Sequence, residues 1–362
     1  MKILELIPTL GTGGAEKFVI DLSNDFVRKG CNCSIVTLYN PTEDEPLRQY
    51  IDGAINMDSL GKCPGADLNC MFRVARYVSR MAPDVVHVHS AAIMYILIAA
   101  ICMRNIKYFA TLHSEAKREA GKGLPRWIRL ILFKLGLVTP ITISEESEKS
   151  FEKFYGYSTN MIHNGCVPYV INHETNSHLR MYRNNVDYLF IHVGRIHGVK
   201  NQLMLVESFK RIVEKGVNAR LLIAGRAEDK NIFEQLKSYF TERIVYIGEQ
   251  TDIRALMSVS DAFCLSSTME GMPITIIEAM SVGCIPIVTP VGGCKDMIID
   301  GKNGFISTDV SEIAYQEALL RFLSTPHEAI KDIKNNCIQD YEKKYSINHT
   351  SSEYINLFSV VK

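Results

Sequence analysis

"AFCLSSTMEGMPITIIEAMSVGCIPIVTP", residues 262–290, decides the fold. "AFCLSST" is a short apolar strand, "MEGMP" a polar and glycine-bearing loop, "ITIIEAM" a helix and "IPIVTP" a second strand. Neither strand alternates apolar with polar residues, so both are buried on both faces, as in a parallel sheet covered by helices. Two carboxylates, Glu270 and Glu278, stand in this unit around Gly271 and Pro273.

The same rhythm runs outward in both directions. Downstream of a polar break, strands "YLFIHVGRI", "ARLLIAG", "RIVYIG", "AFCLSST" and "IPIVTP" alternate with helices "KNQLMLVESFKRIVEKG", "NIFEQLKSYF" and "DIRALMSVS". Upstream, "KILELI", "CNCSIVTLY", "DVVHVHS", "KYFATLHS", "VTPITIS" and "TNMIHNG" alternate with "AEKFVIDLSNDFVRKG", "LNCMFRVARYVSRM", the apolar run "AAIMYILIAAICM" and "RWIRLILFKLG". The break is "CVPYVINHETNSHLRMYRNNVD", around 166–185. The expected fold is therefore α/β, with two Rossmann-like doubly wound domains facing a cleft. Residues 1–170 form the first and 186–340 the second, and 341–362 is a helical tail packing back on the first.

Composition narrows the class. The chain has 362 residues, is 47% hydrophobic and 22% charged, and carries no net charge, which argues against a nucleic-acid binder held by phosphate neutralisation. "MKILELI" runs straight into a turn without the layout of a secretory signal. The thirteen-residue run 91–103 is shorter than the roughly 20 residues a membrane-spanning helix needs, so it reads as a buried core helix. The ten cysteines form no CxxC pair or zinc grouping, and Cys31 and Cys33 share one face of a strand. Reduced thiols in a cytoplasmic protein follow, and the sequons at Asn32 and Asn348 are chance matches.

Pro273 suits a first helical position, and Gly271 lets backbone approach a ligand. The free N–H groups of that first turn, with the helix dipole, make an anion site. Glu270 and Glu278 fit as acceptors for sugar and ribose hydroxyls; the plainer reading is a cap and a local ion pair. "HVGRIHGVKNQ" places Arg195 and Lys200 just past a strand end, where a guanidinium and an ammonium suit a diphosphate. Gly11, Gly13 and Gly14 in "PTLGTGGAEK" permit a tight turn, but Glu16 stands where a dinucleotide fingerprint needs glycine and no P-loop Lys-Ser/Thr follows. Three histidines end strands: His87 and His89 share a face and read as structural, while His113 is the stronger cleft candidate. Eight Lys/Arg against two Glu between Arg104 and Lys134 surround the chain's only Trp, a composition that suits either an anionic membrane surface or a core helix with solvated cations. Arg73, Arg76 and Arg80 add a second basic face.

Taken together, "GTGGAEK", "DVVHVHS", "TLHS", "ITISEESEKSF", "IHNGCVP", "HVGRIHGVKNQ", "LLIAGR", "VYIGEQTDI" and "EGMPITIIEAMSVGCIPIVT" resemble the retaining glycosyltransferases of family 4, which have the GT-B fold. The last stretch matches that family's E-x7-E motif. The resemblance implies a nucleotide diphosphate sugar donor, most often UDP-linked. Arg195 and Lys200 would hold its diphosphate and Glu278 its ribose. Glu270, with backbone of Gly271 and Met272 ahead of Pro273, would hold the transferred sugar. Gly13 and Gly14 would close over the phosphates, Gly248 and Glu249 would meet the base, and His113 would lie near the reacting carbon. It also implies no obligatory metal: "EDE" (43–45) is not a metal-binding DxD. The acceptor would be a glycan or lipid-linked oligosaccharide of a bacterial surface polysaccharide such as O-antigen. The enzyme would be cytoplasmic, peripheral on the inner face of the membrane through 104–134. His113-Ser114 departs from the usual His-Asp of the family. A nucleotide-sugar epimerase of the same architecture, or a non-catalytic sugar-nucleotide binder, are the competing readings.

Overall fold

The computed structural model describes residues 1–42, 45–170 and 179–361. Glu43 and Asp44 of "EDE", and residues 171–178 of the polar break, lie outside the described residues. The chain divides into two compact units, one made of Met1–Val167 with Tyr345–Lys362 and the other of Pro168–Lys344. The boundaries thus fall at 167/168 and 344/345 rather than at 170, 186 and 341.

Unit 1 holds strands β1 (Lys2–Ile7), β2 (Asn32–Thr37), β3 (Asn56–Ser59), β4 (Val85–His89), β5 (Lys107–Leu112), β6 (Thr139–Thr142) and β7 (Asn160–Met161). Their helices are α1 (Gly14–Arg28), α2 (Leu68–Met81), α3 (Leu97–Cys102), α4 (Ala116–Ala120), α5 (Leu124–Lys134) and α6 (Glu145–Tyr155). The sheet order is β3-β2-β1-β4-β5-β6-β7, with every pairing among the described residues parallel. Strand order reverses between β1 and β4, the switch point at whose carboxyl ends ligands bind in doubly wound sheets.

Local chemistry sets the helix ends. Asp67 caps α2 by accepting from Cys70 N at 3.0 Å. Ser144 and Ser147 cap α6 reciprocally, and Gly156 closes it in the left-handed conformation. The apolar run 91–103 is not one helix: Ser90–Ile96 is a 3-10 segment and only Leu97–Cys102 is α. Apolar content predicted its burial but says nothing about helical pitch.

Unit 2 holds β8 (Tyr188–Val193), β9 (Ala219–Ala224), β10 (Ile244–Gly248), β11 (Ala262–Leu265), β12 (Ile285–Val288) and β13 (Phe305–Ile306). Its helices are α7 (Gln202–Glu214), α8 (Lys230–Lys237), α9 (Ile253–Val259), α10 (Ile274–Ser281), α11 (Cys294–Met297), α12 (Glu312–Ser324) and α13 (His327–Asp340). The parallel order β10-β9-β8-β11-β12-β13 repeats the doubly wound plan, with its switch point between β8 and β11.

The last helix, α14 (Ile347–Val360), belongs to unit 1. Phe358 packs 4.6 Å from Phe109 and 6.0 Å from Phe26, ring centre to ring centre. Ser351 Oγ donates to Asp25 at 2.5 Å, and Cys166 N donates to Tyr345 O at 3.1 Å. All ten cysteines are free. Among the described residues, no helix is long and apolar enough to cross a membrane.

Candidate active site

The switch point of unit 2 is built from four loops. His192, fully buried on β8, donates from Nδ1 to the Cys264 carbonyl on β11 at 2.9 Å, and its Nε2 accepts from the Gln202 amide at 3.2 Å. That amide also donates to the Arg195 carbonyl at 2.8 Å. Burial pushes the His192 imidazole down to about 4, so it is a neutral strut that pins the β8 loop to β11.

On that scaffold Lys200 Nζ lies 2.7 Å from Glu270 Oε1, and Ser267 Oγ donates to the same oxygen at 2.5 Å. Thr268 N donates to the Val199 carbonyl at 2.8 Å, holding the two loops together. Behind Glu270 stands Gly292 at φ +52°. A Cβ there would collide with the Glu270 carbonyl oxygen and lie 2.9 Å from that of Gly271. Gly293 N donates to the Gly271 carbonyl at 2.6 Å. The backbone of Glu270–Met272 is thus fixed from below, and Met272 is itself buried.

Pro273 has an extended backbone (φ −71°, ψ 115°) and caps α10 rather than opening it, so Ile274 is the first helical residue. The reading of Pro273 as a first-turn residue is corrected by one position; helix ends routinely shift this much. Glu278 lies on α10, 2% exposed. Arg195 is placed differently from Lys200: its guanidinium is 2.6 Å from Glu228 and well exposed. The structure therefore joins Lys200 to Glu270 and ties Arg195 to a carboxylate that sequence reasoning did not name. Gly248 ends β10 at φ +72°, and its carbonyl accepts from Gly225 N at 2.8 Å. Glu249 follows it, exposed.

In unit 1, Gly13 caps α1 at φ −82°, ψ 163°, and Gly14 is the first helical residue. None of Gly11, Gly13 and Gly14 is left-handed, so the tight-turn reason for these glycines does not hold. At Gly13 the missing side chain instead leaves room for the Glu16 carboxylate, which a Cβ would strike.

His113 follows β5 and is half-buried. Its Nε2 is 3.0 Å from His89 Nδ1, and His89 Nε2 is 2.6 Å from Glu5 Oε2. His87 Nδ1 lies 3.1 Å from Glu5 Oε1, with its Nε2 2.7 Å from Thr111 Oγ1. Burial would raise the Glu5 carboxyl, but His87 and His89 bring it down to about 2. Burial, with His87 beside it, lowers His89 to about 4, and burial also drives His113 well below the ordinary imidazole range. Among the described residues, Glu5, His87 and His89 are the one group whose ligand atoms, within 4.8 Å of one another, could hold a metal ion. The 2.6 Å contact is that of a direct hydrogen bond, closer than two ligands sit around one ion.

Under the His113–Ser114 backbone lies a carboxylate. Glu119 Oε1 accepts from His113 N at 2.5 Å and Ser114 N at 2.9 Å, and Arg129 Nη1 is 3.3 Å from Oε2. Burial raises the Glu119 carboxyl, and Arg129 opposes the rise. Arg129 is 4% exposed and also donates to Ser90 O at 2.9 Å. It is no surface cation, which corrects the membrane reading of 104–134 at that residue. Lys107, tied to the Phe358 carbonyl at 3.0 Å, is likewise committed.

Residues 181–340 match the family model described as Glycosyl transferases group 1, and residues 12–168 match that of Glycosyltransferase Family 4. The chain is a family 4 glycosyltransferase. It transfers sugar from a nucleotide sugar, as the family does. The glycosyltransferase is 25% identical over 327 residues to N-acetyl-alpha-D-glucosaminyl L-malate synthase of Bacillus anthracis, covering 84% of each chain. It is 24% identical to the UDP-Gal:alpha-D-GlcNAc-diphosphoundecaprenol alpha-1,3-galactosyltransferase of Escherichia coli, covering 82% of this chain and 81% of that one. The crystal structure of Anabaena HepE in complex with UDP-glucose has the same fold: TM-score 0.84 at 19% identity, over 100% of both chains. Two parallel α/β sheets of seven and six strands are thus the GT-B architecture.

Proposed function

We propose that this glycosyltransferase moves a hexosyl or N-acetylhexosaminyl group, with retention, from a UDP-sugar to a hydroxyl of a lipid-linked oligosaccharide. The setting would be bacterial surface polysaccharide assembly. The names of the relatives support this reading: the Escherichia coli enzyme uses UDP-Gal and a diphosphoundecaprenol acceptor, and a Campylobacter jejuni relative, 22% identical over 100% of this chain, uses a GalNAc-containing PP-undecaprenol.

The observation that carries it is the Lys200–Glu270 pair at the unit 2 switch point, beside the N-terminus of α10. Arg195 and Lys200 would neutralise the diphosphate and Glu278 would accept the ribose hydroxyls. Glu270, with the Gly271 and Met272 backbone ahead of Pro273, would hold the sugar, and Gly248 and Glu249 would meet the base. Gly13 and Gly14 would serve the phosphates and acceptor, and His113 the sugar near its reacting carbon. Same-face attack would let the leaving β-phosphate take the acceptor proton, with the two cations stabilising the charge it gains. Incubating the enzyme with a panel of UDP-sugars, with and without extracted lipid-linked oligosaccharide, tests the reading. Donor consumption that needs the acceptor supports it; sugar isomerisation without acceptor makes it an epimerase, and no turnover makes it a binder.

A membrane-docking face is the second part of the proposal. Along α5 and its C-cap, Leu124, Trp127, Ile131 and Leu135 follow one another at intervals of three, four and four and are all exposed, Trp127 by 65%. Ile128, Leu132 and Phe133 fill the opposite face. Leu68 and Phe72 of α2 and Ile101 of α3 are exposed on helices of the same packed layer. Arg104, Lys117, Lys122, Arg126 and Lys134, on or close in sequence to α3, α4 and α5, are exposed as well. Apolar ridges rimmed by cations suit an anionic lipid surface. The sole tryptophan is a built-in reporter: its emission should shift blue on vesicles containing anionic lipid and stay unchanged on zwitterionic ones. No shift on either removes the docking face from the proposal.

A further inference from the structure

Unit 1 contains one unbroken line of side-chain hydrogen bonds. Tyr354 and Thr111 hydroxyls are 2.9 Å apart, Thr111 meets His87, His87 and His89 both meet Glu5, and His89 meets His113. Glu5 sits at the middle of it, in a strand whose neighbours Ile3, Leu4, Leu6 and Ile7 are all core. An aliphatic residue would continue that core at no cost. A buried carboxylate is expensive unless every lone pair is met, so its presence calls for a role that packing does not supply.

Its chemistry fixes the direction of the whole line. An ionised carboxylate only accepts, and two imidazoles approach it, so His87 Nδ1–H and His89 Nε2–H must both donate. A neutral His89 then has a bare Nδ1, which requires a donor, and the atom 3.0 Å away is His113 Nε2. That nitrogen must carry hydrogen, leaving His113 Nδ1 as a lone pair. Were His89 protonated, Nδ1 would donate and the assignment at His113 would invert; burial holds His89 neutral. On the other arm a neutral His87 leaves Nε2 bare, so Thr111 donates to it and Tyr354 donates to Thr111, and no donor then faces a donor anywhere along the line.

We propose that Glu5 is a positioning residue of the transfer reaction: acting through His89, it holds His113 as the Nε2–H tautomer and presents the Nδ1 lone pair to a hydroxyl of the bound sugar. The proposal rests on the reading above that places His113 against the transferred sugar. The tautomer part does not depend on it. The ring nitrogen that carries hydrogen is set by the hydrogen bond the other makes; partners that orient metal-binding histidines change function about 10–100-fold when removed, and the same scale is taken for His113.

Nitrogen-15 NMR of imidazole-labelled full chain at neutral pH reads the tautomer directly. His113 is expected to be protonated at Nε2 and bare at Nδ1; the reverse overturns the proposal with no variant needed. In Glu5→Leu the direction is no longer imposed, so the Nε2–H preference of His113 should be lost. Its kcat should fall roughly 10–100-fold with donor KM changed less than about two-fold. An unchanged tautomer or unchanged kcat in a folded Glu5→Leu overturns it. If that variant does not fold, His89→Phe removes the acceptor from His113 while keeping Glu5 beside His87, and carries the same expectation. His113→Ala separates the two readings: full activity there removes His113 from the substrate, whereas its loss with an indifferent Glu5→Leu sinks the positioning role alone.

Discussion

Lys200 Nζ and Glu270 Oε1, seventy positions apart in the chain, form a 2.7 Å ion pair in which the lysine is 22% and the glutamate 11% exposed. Each group the sequence assigned to a different part of the donor is here the other's counter-ion. In the proposed donor reading, a diphosphate arriving at Lys200 would loosen Glu270 for a sugar hydroxyl, and the pair would link the two halves of one donor. Lys200→Ala and Glu270→Ala should each lower kcat/KM on the order of 10²–10³-fold. Near-normal transfer by both would remove this site. The double variant Lys200→Met/Glu270→Gln should be more stable to urea than Lys200→Met alone, because the single change strands a largely buried carboxylate.

Gly292 supports that pair from behind. Alanine there meets two penalties at once, a left-handed backbone and a Cβ driven into the Glu270 carbonyl. Strain of this type costs about 1–3 kcal/mol. The loop should yield before the sheet does. Gly292→Ala is expected to keep its circular dichroism, lose a few degrees of Tm and bind donor at least about ten-fold more weakly by calorimetry, since roughly 1.4 kcal/mol of displaced contact is a factor of ten. Tight binding in a folded Gly292→Ala would show that the Glu270–Met272 backbone is not held by this contact.

Two arginines three residues apart in sequence should behave oppositely. Arg126 is exposed, its guanidinium 4.9 Å over the Phe154 ring, whereas Arg129 is buried against Glu119. Arg126→Glu should weaken association with anionic vesicles and leave urea stability within about 0.5 kcal/mol. Arg129→Met should cost about 3–5 kcal/mol, because Glu119 keeps its charge or takes up a proton without its partner. If Arg129→Met instead spared stability and abolished vesicle binding, the assignment of the two residues would be reversed.

What the sequence disclosed and what it hid follow from what patterns measure. Doubly buried strands such as "VVHVH" and "ARLLIA" are legible because apolar runs of that length between helices have few other homes. The same property concealed Glu5: a strand buried on both faces has no alternation, so a lone acid in "KILELI" carries no sign of which way it points. Its only textual hint is the polar "HVH" on the strand that proves to be its neighbour. β3 was missed because "NMDS" is an edge strand, paired on one side to β2 and free to be polar. Glu119 was hidden in a basic run, where composition drowned a single pairing. "VGG" at 291–293 was visible as glycines, but its contact with Glu270 is tertiary and no spacing reports it.

Acid should unfold the protein earlier than its carboxylates alone would require. His89 in unit 1 and His192 in unit 2 are both buried and neutral, each lowered from 6.5 to about 4. Between those values the unfolded chain binds a proton at each site and the folded chain does not, so unfolding takes up protons and stability falls as pH falls. The loss begins near pH 6.5, amounts to about 1.4 kcal/mol per pH unit for each histidine, and is complete near pH 4. Glu5 acts lower on the scale: its carboxyl is depressed from 4.5 to about 2, so its contribution is whole above 4.5 and fades as pH drops toward 2. Urea unfolding at pH 7.5, 6 and 5 should therefore show a declining midpoint with little change in m-value. His192→Leu, which fills the same buried space without titrating, should flatten the decline in the unit 2 transition while losing the strut to Arg195 and hence donor affinity. A midpoint that is level from pH 7.5 to 5 would mean that neither imidazole is held neutral by burial.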